Sequence, residues 1–206
     1  MSKIALPNIG DIRVLLVQPP CEERDALLRI LKRVGFLTEV NWPPVAAIFE
    51  YADVVFVALR QISEENVKFS WNAEVPPAAL VALLDFENPA IVNEAMKLNA
   101  HAVVGMPIRS FGVMANTFIA LKNHQLQITL SQQSAKLRAR IESQKIVDQA
   151  KSILMRAKNI SEAEAHKTLR SHAMNKRISI EQVAKSVVSA EEILSDGNGT
   201  PATPAS

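Results

Sequence analysis

The residues of this sequence that could do chemistry are cations rather than a catalytic set. Eight of them lie close together in the chain: Lys145, Lys151, Arg156, Lys158, Lys167, Arg170, Lys176 and Arg177. Lysine and arginine bind phosphates, and arginine can also read the edge of an unpaired base. The sequence shows no Ser/His/Asp arrangement, no phosphate-binding loop and no cluster of metal ligands. We therefore expect a polyanion-binding protein that is not an enzyme and needs no cofactor.

The charge of the chain is divided unevenly. Residues 1–110 carry ten Lys and Arg against thirteen Asp and Glu, whereas residues 111–195 carry thirteen against seven. A basic segment after an acidic one predicts that the C-terminal part meets a polyanion, although an ordinary solvated helical surface is the alternative. The single cysteine, Cys21, excludes an intrachain disulfide, and no apolar run approaches the ~20 residues of a membrane helix. A cytoplasmic protein is expected.

Two helix-start signals divide the basic segment into a three-helix bundle over residues 145–195. Ser161 with Glu164, and Ser179 with Gln182, each match a capping box, in which two side chains satisfy backbone N–H groups at a helix start. The first helix is predicted to end near Asn159. Its inward face is predicted to hold Ile146, Ala150, Ile153, Leu154 and Ala157.

Five cations of this bundle are the predicted binding residues: Lys151, Arg156, Arg170, Lys176 and Arg177. Lys151, Arg170, Lys176 and Arg177 are expected to lie nearest one another, because they fall at the middle of the first helix and around the second turn.

A long helix is predicted to precede the bundle, over residues 111–144. Neither glycine nor proline occurs between Gly112 and Gly197, so nothing forces a break. Apolar residues recur at steps of three, four and seven: Phe118, Leu121, Leu126, Leu130, Leu137 and Ile141. This spacing favours a parallel two-stranded coiled coil and therefore a homodimer. A single connecting helix that folds back on the preceding domain is the alternative.

The first part of the chain, residues 10–110, reads as one α/β domain. Short apolar runs of strand length alternate with helical segments, at residues 14–17, 36–40, 53–59, 80–84 and 102–104. Continuously apolar strands that alternate with helices predict a parallel sheet covered on both faces.

This half resembles the receiver domain of bacterial response regulators, a flavodoxin-like fold, in order, spacing and length. Receivers hold Mg²⁺ with an acidic pair after the first strand, and those places hold Pro19 and Pro20. Ala58 stands at the place of the phospho-accepting aspartate, Leu84 at that of the switch Ser or Thr, and Met106 at that of the lysine. The resemblance therefore implies a pseudo-receiver with a vacant phosphorylation site.

The basic bundle resembles the ANTAR domain, an RNA-binding antitermination module. The matching positions are Ala150, Lys151, Leu154, Met155, Ser161, Glu162, Ala165, Leu169, Arg170, Ala173, Met174, Val183 and Ala184. Over residues 12–190 the chain is similar to the ANTAR-domain, response-regulator-like antiterminators of amidase operons, which also share its Pro19-Pro20 and Trp42-Pro43-Pro44 segments. Many ANTAR domains carry asparagine where this chain has Arg177, whereas the amidase group is basic there.

The resemblance implies a regulator that is not controlled by phosphorylation. Such proteins dimerise through the coiled coil, bind stem-loops of a leader mRNA and prevent the terminator hairpin from forming. It further implies a ligand-sensing, binding-protein-like repressor as the partner, released by an amide inducer.

The loops that contain Trp42, Pro43 and Phe86 are predicted to bind the partner, because aromatic residues are enriched at interfaces. Ordinary loop packing is the alternative. Two other functions remain open: a DNA-binding response-regulator-like transcription factor, and an interaction adaptor that binds no nucleic acid. The tail, residues 196–206, is expected to be disordered.

Overall fold

The computed structural model of the chain describes residues 8–43, 51–60, 75–84 and 89–196. The chain divides into two compact units, Met1–Ser131 and Gln132–Ser206. Phe86 and the predicted tail, apart from Asp196, lie outside the described residues; Asp196 is the last residue of the final helix.

The first unit is built on a parallel sheet of five strands within the described ranges. The strands are β1 (Arg13–Val17), β2 (Leu37–Val40), β3 (Val54–Ala58), β4 (Ala79–Leu84) and β5 (Ala102–Gly105). Their spatial order is β2-β1-β3-β4-β5, and every neighbouring pair is parallel. This is the order of flavodoxin-like, doubly wound sheets. The predicted receiver-like fold is confirmed.

Helices cover both faces of this sheet. On one face, α1 (Glu22–Val34) and the first part of α3 (Ser110–Lys158) pack on side chains such as Leu16, Phe56 and Val81. On the other face, α2 (Pro89–Lys97) packs on residues such as Val55 and Leu80. Successive strand residues point to opposite faces, and both faces are buried. The central strands are therefore apolar at every position, which is why they could be recognised in the sequence.

His101 joins the first part of α3 to the strands. Its ring Nδ1 accepts the backbone N–H of Leu80 at 2.9 Å, and Nε2 lies 2.6 Å from Oε1 of Gln127. The amide of Asn123 donates to the His101 carbonyl at 2.9 Å. Burial lowers the pKa of His101, an effect that the hydrogen bond to Gln127 opposes and the nearby His124 reinforces. The neutral ring, with its proton on Nε2, satisfies both contacts.

Helix α3 is 49 residues long and continuous from Ser110 to Lys158. The single long helix predicted after the α/β domain is confirmed. Phe118 and Leu121, however, pack against the α/β core and do not belong to an exposed stripe. Five apolar residues along α3 are 43–64% exposed: Ile119, Leu126, Leu130, Leu137 and Ile141. The exposed stripe therefore contains Ile119 in place of the predicted Phe118 and Leu121.

The second unit is a three-helix bundle made of the end of α3, α4 (Glu162–Lys176) and α5 (Ile180–Asp196). Its buried core consists of Val147, Ala150, Leu169, Ala173, Val183 and Ala184. The predicted inward face of the first helix needs two corrections: Val147 is buried in it, and Ala157 is exposed.

Both capping boxes are present. At the start of α4, the N–H of Glu164 donates to Ser161 Oγ while Glu164 Oε2 accepts the N–H of Ser161 at 2.9 Å. Ser179 and Gln182 exchange equivalent bonds at the start of α5, at 3.1 and 3.3 Å. The starts of α4 and α5 are thus fixed by local side-chain hydrogen bonds that can be predicted from the sequence. In the described part of the chain, no helix has the length and apolar character needed to span a bilayer.

Candidate nucleic-acid interface

The five predicted binding residues do not form one cluster. Nζ of Lys151 lies 2.7 Å from Oε1 of Glu162, the first residue of α4, whereas Lys176 is the last residue of that helix. A helix rises about 1.5 Å per residue, so the two ends of α4 are roughly 21 Å apart. The expectation that Lys151 lies beside Lys176 and Arg177 is wrong. Sequence spacing did not show that α3 crosses α4 at its beginning.

Lys151 is held by two carboxylates. Its Nζ also lies 2.6 Å from Oδ1 of Asp148, and only 14% of its side chain is exposed. The hydrogen bonds that Lys151 donates to Asp148 and to Glu162, in that order of effect, raise the pKa of Lys151, and the bond to Lys151 is the main cause that lowers the pKa of Asp148. Lys151 therefore remains charged and links α3 to α4 through Glu162. Its position indicates a structural role, and a phosphate would have to displace a carboxylate to reach it.

Arg156 is more accessible. One of its terminal nitrogens is 3.7 Å from Oε1 of Glu191 on α5, and 74% of its side chain is exposed. A long, exposed ion pair of this kind contributes little to stability, so a phosphate can replace the carboxylate at small cost.

The remaining three cations occupy the C-terminal half of α4 and the turn that follows. Arg170, Lys176 and Arg177 are exposed, and none of them forms an ion pair with another residue in the described ranges. Arg177 caps α4 in the left-handed conformation, with φ 53° and ψ 41°, and its N–H donates to the carbonyls of Ala173 and Met174. We call this group of Arg170, Lys176 and Arg177 the turn cluster.

Apolar surface lies among these cations and was not singled out from the sequence. The side chain of Met174, one turn after Arg170, is 70% exposed, and that of Ile178, directly after Arg177, is 39% exposed. Apolar side chains between cations offer contact area to unstacked bases, while the cations hold the phosphates. The available signal was Met174 itself, an apolar residue outside the inward face of α4.

The five positions of the vacant phosphorylation site lie at the carboxyl edge of the sheet. Ala58 and Leu84 are the last residues of β3 and β4, Met106 follows β5, and Pro19 and Pro20 follow β1. None of these side chains can hold Mg²⁺ or accept a phosphoryl group. Elsewhere in the described ranges, no three His, Cys, Asp or Glu side chains are placed to bind a metal.

A buried polar residue at this edge was missed in the sequence. Gln18, directly after β1, is 2% exposed, and its Nε2 donates to Sγ of Cys21 at 3.3 Å. Its Oε1 has no hydrogen-bond partner among the described residues. Nothing in the apolar pattern of β1 distinguished Gln18 from an ordinary loop residue.

The predicted partner-binding loops are only partly described. Trp42 is half-buried and packs against the core beneath α2, which favours ordinary loop packing for that ring, whereas Pro43 is exposed. Whether these residues bind a partner stays a prediction.

Comparisons with known proteins agree with this architecture. The family described as AmiR, N-terminal, matches residues 12–121, and the ANTAR domain matches residues 135–188. The aliphatic amidase regulator of Pseudomonas aeruginosa is 30% identical over 187 residues, which are 90% of this chain and 95% of that protein.

Solved structures of response regulators are also similar, at low sequence identity. StyR is 13% identical with a TM-score of 0.45, and full-length FixJ from B. japonicum is 12% identical with a TM-score of 0.43. Each alignment covers 86% of this chain and 98% of the other. The two matched domain families and the relative in Pseudomonas aeruginosa agree with the α/β unit and the basic bundle described above, and the chain belongs to the AmiR family of ANTAR-domain antitermination regulators.

Proposed function

We propose that this protein binds stem-loops of a leader mRNA and thereby prevents a terminator hairpin from forming. The observation that carries the proposal is the turn cluster, in which Arg170, Lys176 and Arg177 are exposed and without an ion-pair partner in the described ranges. Cations that are already paired must lose a carboxylate before they bind a phosphate, whereas these three need not. Family membership supports a transcript as the polyanion.

Within this site the three cations have different tasks. Lys176 and Arg170 contact phosphates of the stem, because their charge is exposed on the helix. Arg177 lies in the turn, where the left-handed backbone ends α4, and it reads an unpaired base in the loop of the hairpin. Arg156 adds a phosphate contact by exchanging Glu191 for RNA. Lys151 supports the site by fixing α3 to α4.

Two copies of the chain pair through α3. Ile119, Leu126, Leu130, Leu137 and Ile141 are 43–64% exposed and extend over about 33 Å of helix. An apolar stripe of this length rarely stays in water, and a parallel partner of the same sequence fits it in register. A parallel pair carries two bundles and can bind two stem-loops at once. The corresponding domains are 10–110 for the pseudo-receiver, 111–144 for dimerisation and 145–195 for RNA.

Control comes from a bound partner instead of a phosphoryl group. The vacant phosphorylation site offers no nucleophile and no metal ligand in its five positions. A ligand-sensing, binding-protein-like repressor that responds to an amide holds the regulator inactive in the cytoplasm until its inducer arrives; this agrees with the description of the relative as an aliphatic amidase regulator.

A gel-shift comparison tests the RNA proposal. We expect the full chain to bind leader stem-loop RNA more tightly than the same sequence as duplex DNA. The R170Q/K176Q variant should lose most of this affinity, whereas R29Q/K32Q, which removes two exposed cations from α1, should bind as the wild type does. Preference for the duplex would instead support a DNA-binding regulator, and no binding to either nucleic acid would support an adaptor.

A further inference from the structure

The exposed apolar stripe of α3 follows an eleven-residue repeat. Ile119, Leu130 and Ile141 are eleven residues apart, and so are Leu126 and Leu137. With 3.6 residues per turn, all five fall within an arc of about 60° on a straight helix. An eleven-residue repeat keeps a seam straight or slightly right-handed, unlike the heptad of a leucine zipper.

Cations border this stripe on both sides. Lys136 and Arg140 lie about 70–110° from the centre of its arc on one side, and Arg138 and Lys145 lie about 70–90° from it on the other. All four are exposed, and no other residue in the described ranges pairs with them. Glu142, the one carboxylate in residues 136–145, lies about 130° from that centre.

The two flanks meet when two copies pair in parallel. Residues beside a coiled-coil seam face the opposite flank of the partner helix, where an opposite charge stabilises the pair and a like charge destabilises it. Here both flanks are basic, so the apolar seam attracts while its rim repels. A polyanion that lies along the rim removes the repulsion.

We propose that phosphates of the bound RNA contact the cations beside the seam, so that RNA binding and dimerisation strengthen each other. This inference rests on the proposed RNA binding and dimerisation and adds a second contact surface, outside the bundle, that couples them. Lys145 directly precedes the bundle residue Ile146, so the rim continues from the RNA-binding unit along roughly 14 Å of helix to Lys136. Because coupling between two binding events is reciprocal, RNA tightens the dimer by the factor by which dimerisation tightens RNA.

The first experiment measures the dimer alone. Sedimentation equilibrium of the full chain without RNA should give a dimer Kd that falls by about threefold or more between 50 and 200 mM salt, because salt screens the rim. The K136Q/R140Q variant should form a tighter dimer than the wild type at 50 mM salt and lose most of this salt dependence. R29Q/K32Q, with the same change of charge on α1, should match the wild type. A dimer that weakens with salt, or equal behaviour of the two variants, overturns the inference.

The second experiment adds leader stem-loop RNA. Each phosphate contact contributes about 0.7–0.9 to the slope of log K against log salt, so K136Q/R140Q, which removes four cations per dimer, should lower the slope by about 3. RNA should tighten the wild-type dimer at least tenfold and the variant dimer much less. If RNA binds but leaves the dimer Kd unchanged, the coupling is refuted while the proposed function stands. If the wild type does not bind the RNA, the coupling and the proposed function are both refuted.

Discussion

Arg177 allows the stability of the bundle and the binding of RNA to be moved in opposite directions. The residue has φ 53° and ψ 41°, a left-handed conformation that costs a side-chain-bearing residue roughly 1–2 kcal/mol and costs glycine nothing. Glycine also gives the unfolded chain more conformational freedom, which lowers the free energy of unfolding by about 0.4–1 kcal/mol. An R177G variant should therefore gain about 0.5–1 kcal/mol in the free energy of unfolding of the bundle.

The same substitution removes a cation and should weaken RNA binding. Loss of an arginine that contacts a base costs about 1–3 kcal/mol, or roughly a 5- to 150-fold increase in Kd. R177A is the matched control, because it removes the same guanidinium but keeps the unfavourable backbone. We expect R177A to bind RNA as weakly as R177G does, without the gain in stability.

Hydrogen exchange of the peptides that cover α4 and α5 measures the first effect in the full chain, and RNA titration measures the second. Slower exchange in R177G than in both R177A and the wild type is the expected result. Exchange that is faster in R177G would refute the backbone argument. Wild-type RNA affinity in both variants would refute the role of Arg177 at the interface.

Three other perturbations give measurable results. Leu169 is 1% exposed in the bundle core, so the L169A variant should lose about 2–5 kcal/mol in the free energy of unfolding of the bundle. Helices α4 and α5 should then lose their protection from hydrogen exchange while the α/β unit keeps its own; unchanged protection would contradict the packing. His101 has a lowered pKa in the folded state, so the unfolded state binds more protons just below pH 6.5. Stability should be complete above that pH and fall as the pH drops, and H101Q should flatten this pH dependence in denaturant titrations; an equal slope in H101Q would assign it to other groups. Leu130 is 64% exposed at the middle of the stripe, so the L130E variant should be monomeric while α3 stays helical by circular dichroism. A dimer that persists in L130E would place the seam elsewhere.

The sheet could be predicted because its strands are buried on both faces. The apolar runs at 14–17, 53–59 and 80–84 begin within one residue of β1, β3 and β4 and end within one residue of them. A strand with water on one face would have shown only alternate apolar positions and a weaker signal. The burial of Gln18 could not be predicted, because a single buried residue after the end of a strand produces no periodic pattern in the sequence.

The candidate site was harder to predict than the elements that form it. The spacing of Asp148 and Lys151 is visible as an i, i+3 pair, but the second carboxylate, Glu162, comes from the next helix. Which residues of two helices meet depends on their crossing, and the small, alanine-rich core sets that crossing without a sequence signature. For this reason the sequence spacing places Lys151 beside Lys176 and Arg177, although these lie at the other end of α4, about 21 Å along the helix.

The stripe on α3 shows a related difficulty. Phe118, Ile119 and Leu121 are all apolar and adjacent in the chain, so the periodicity allows two apolar faces on that turn. Phe118 and Leu121 turn towards the α/β core, and Ile119 is left outside. Only the packing of the helix on the sheet decides between them.

The parallel order of the sheet also bears on how the chain folds. Strand β1 pairs with β2 through Arg13 and Leu37 and with β3 through Val14 and Val54, so its partners are distant in the chain. In the bundle, Lys151 meets Glu162 across a single turn. Distant pairings slow folding and local ones speed it, and the N-terminal unit leaves the ribosome first. We therefore expect the sheet, which folds more slowly, to begin folding earlier during synthesis, so that both units complete folding at nearly the same time.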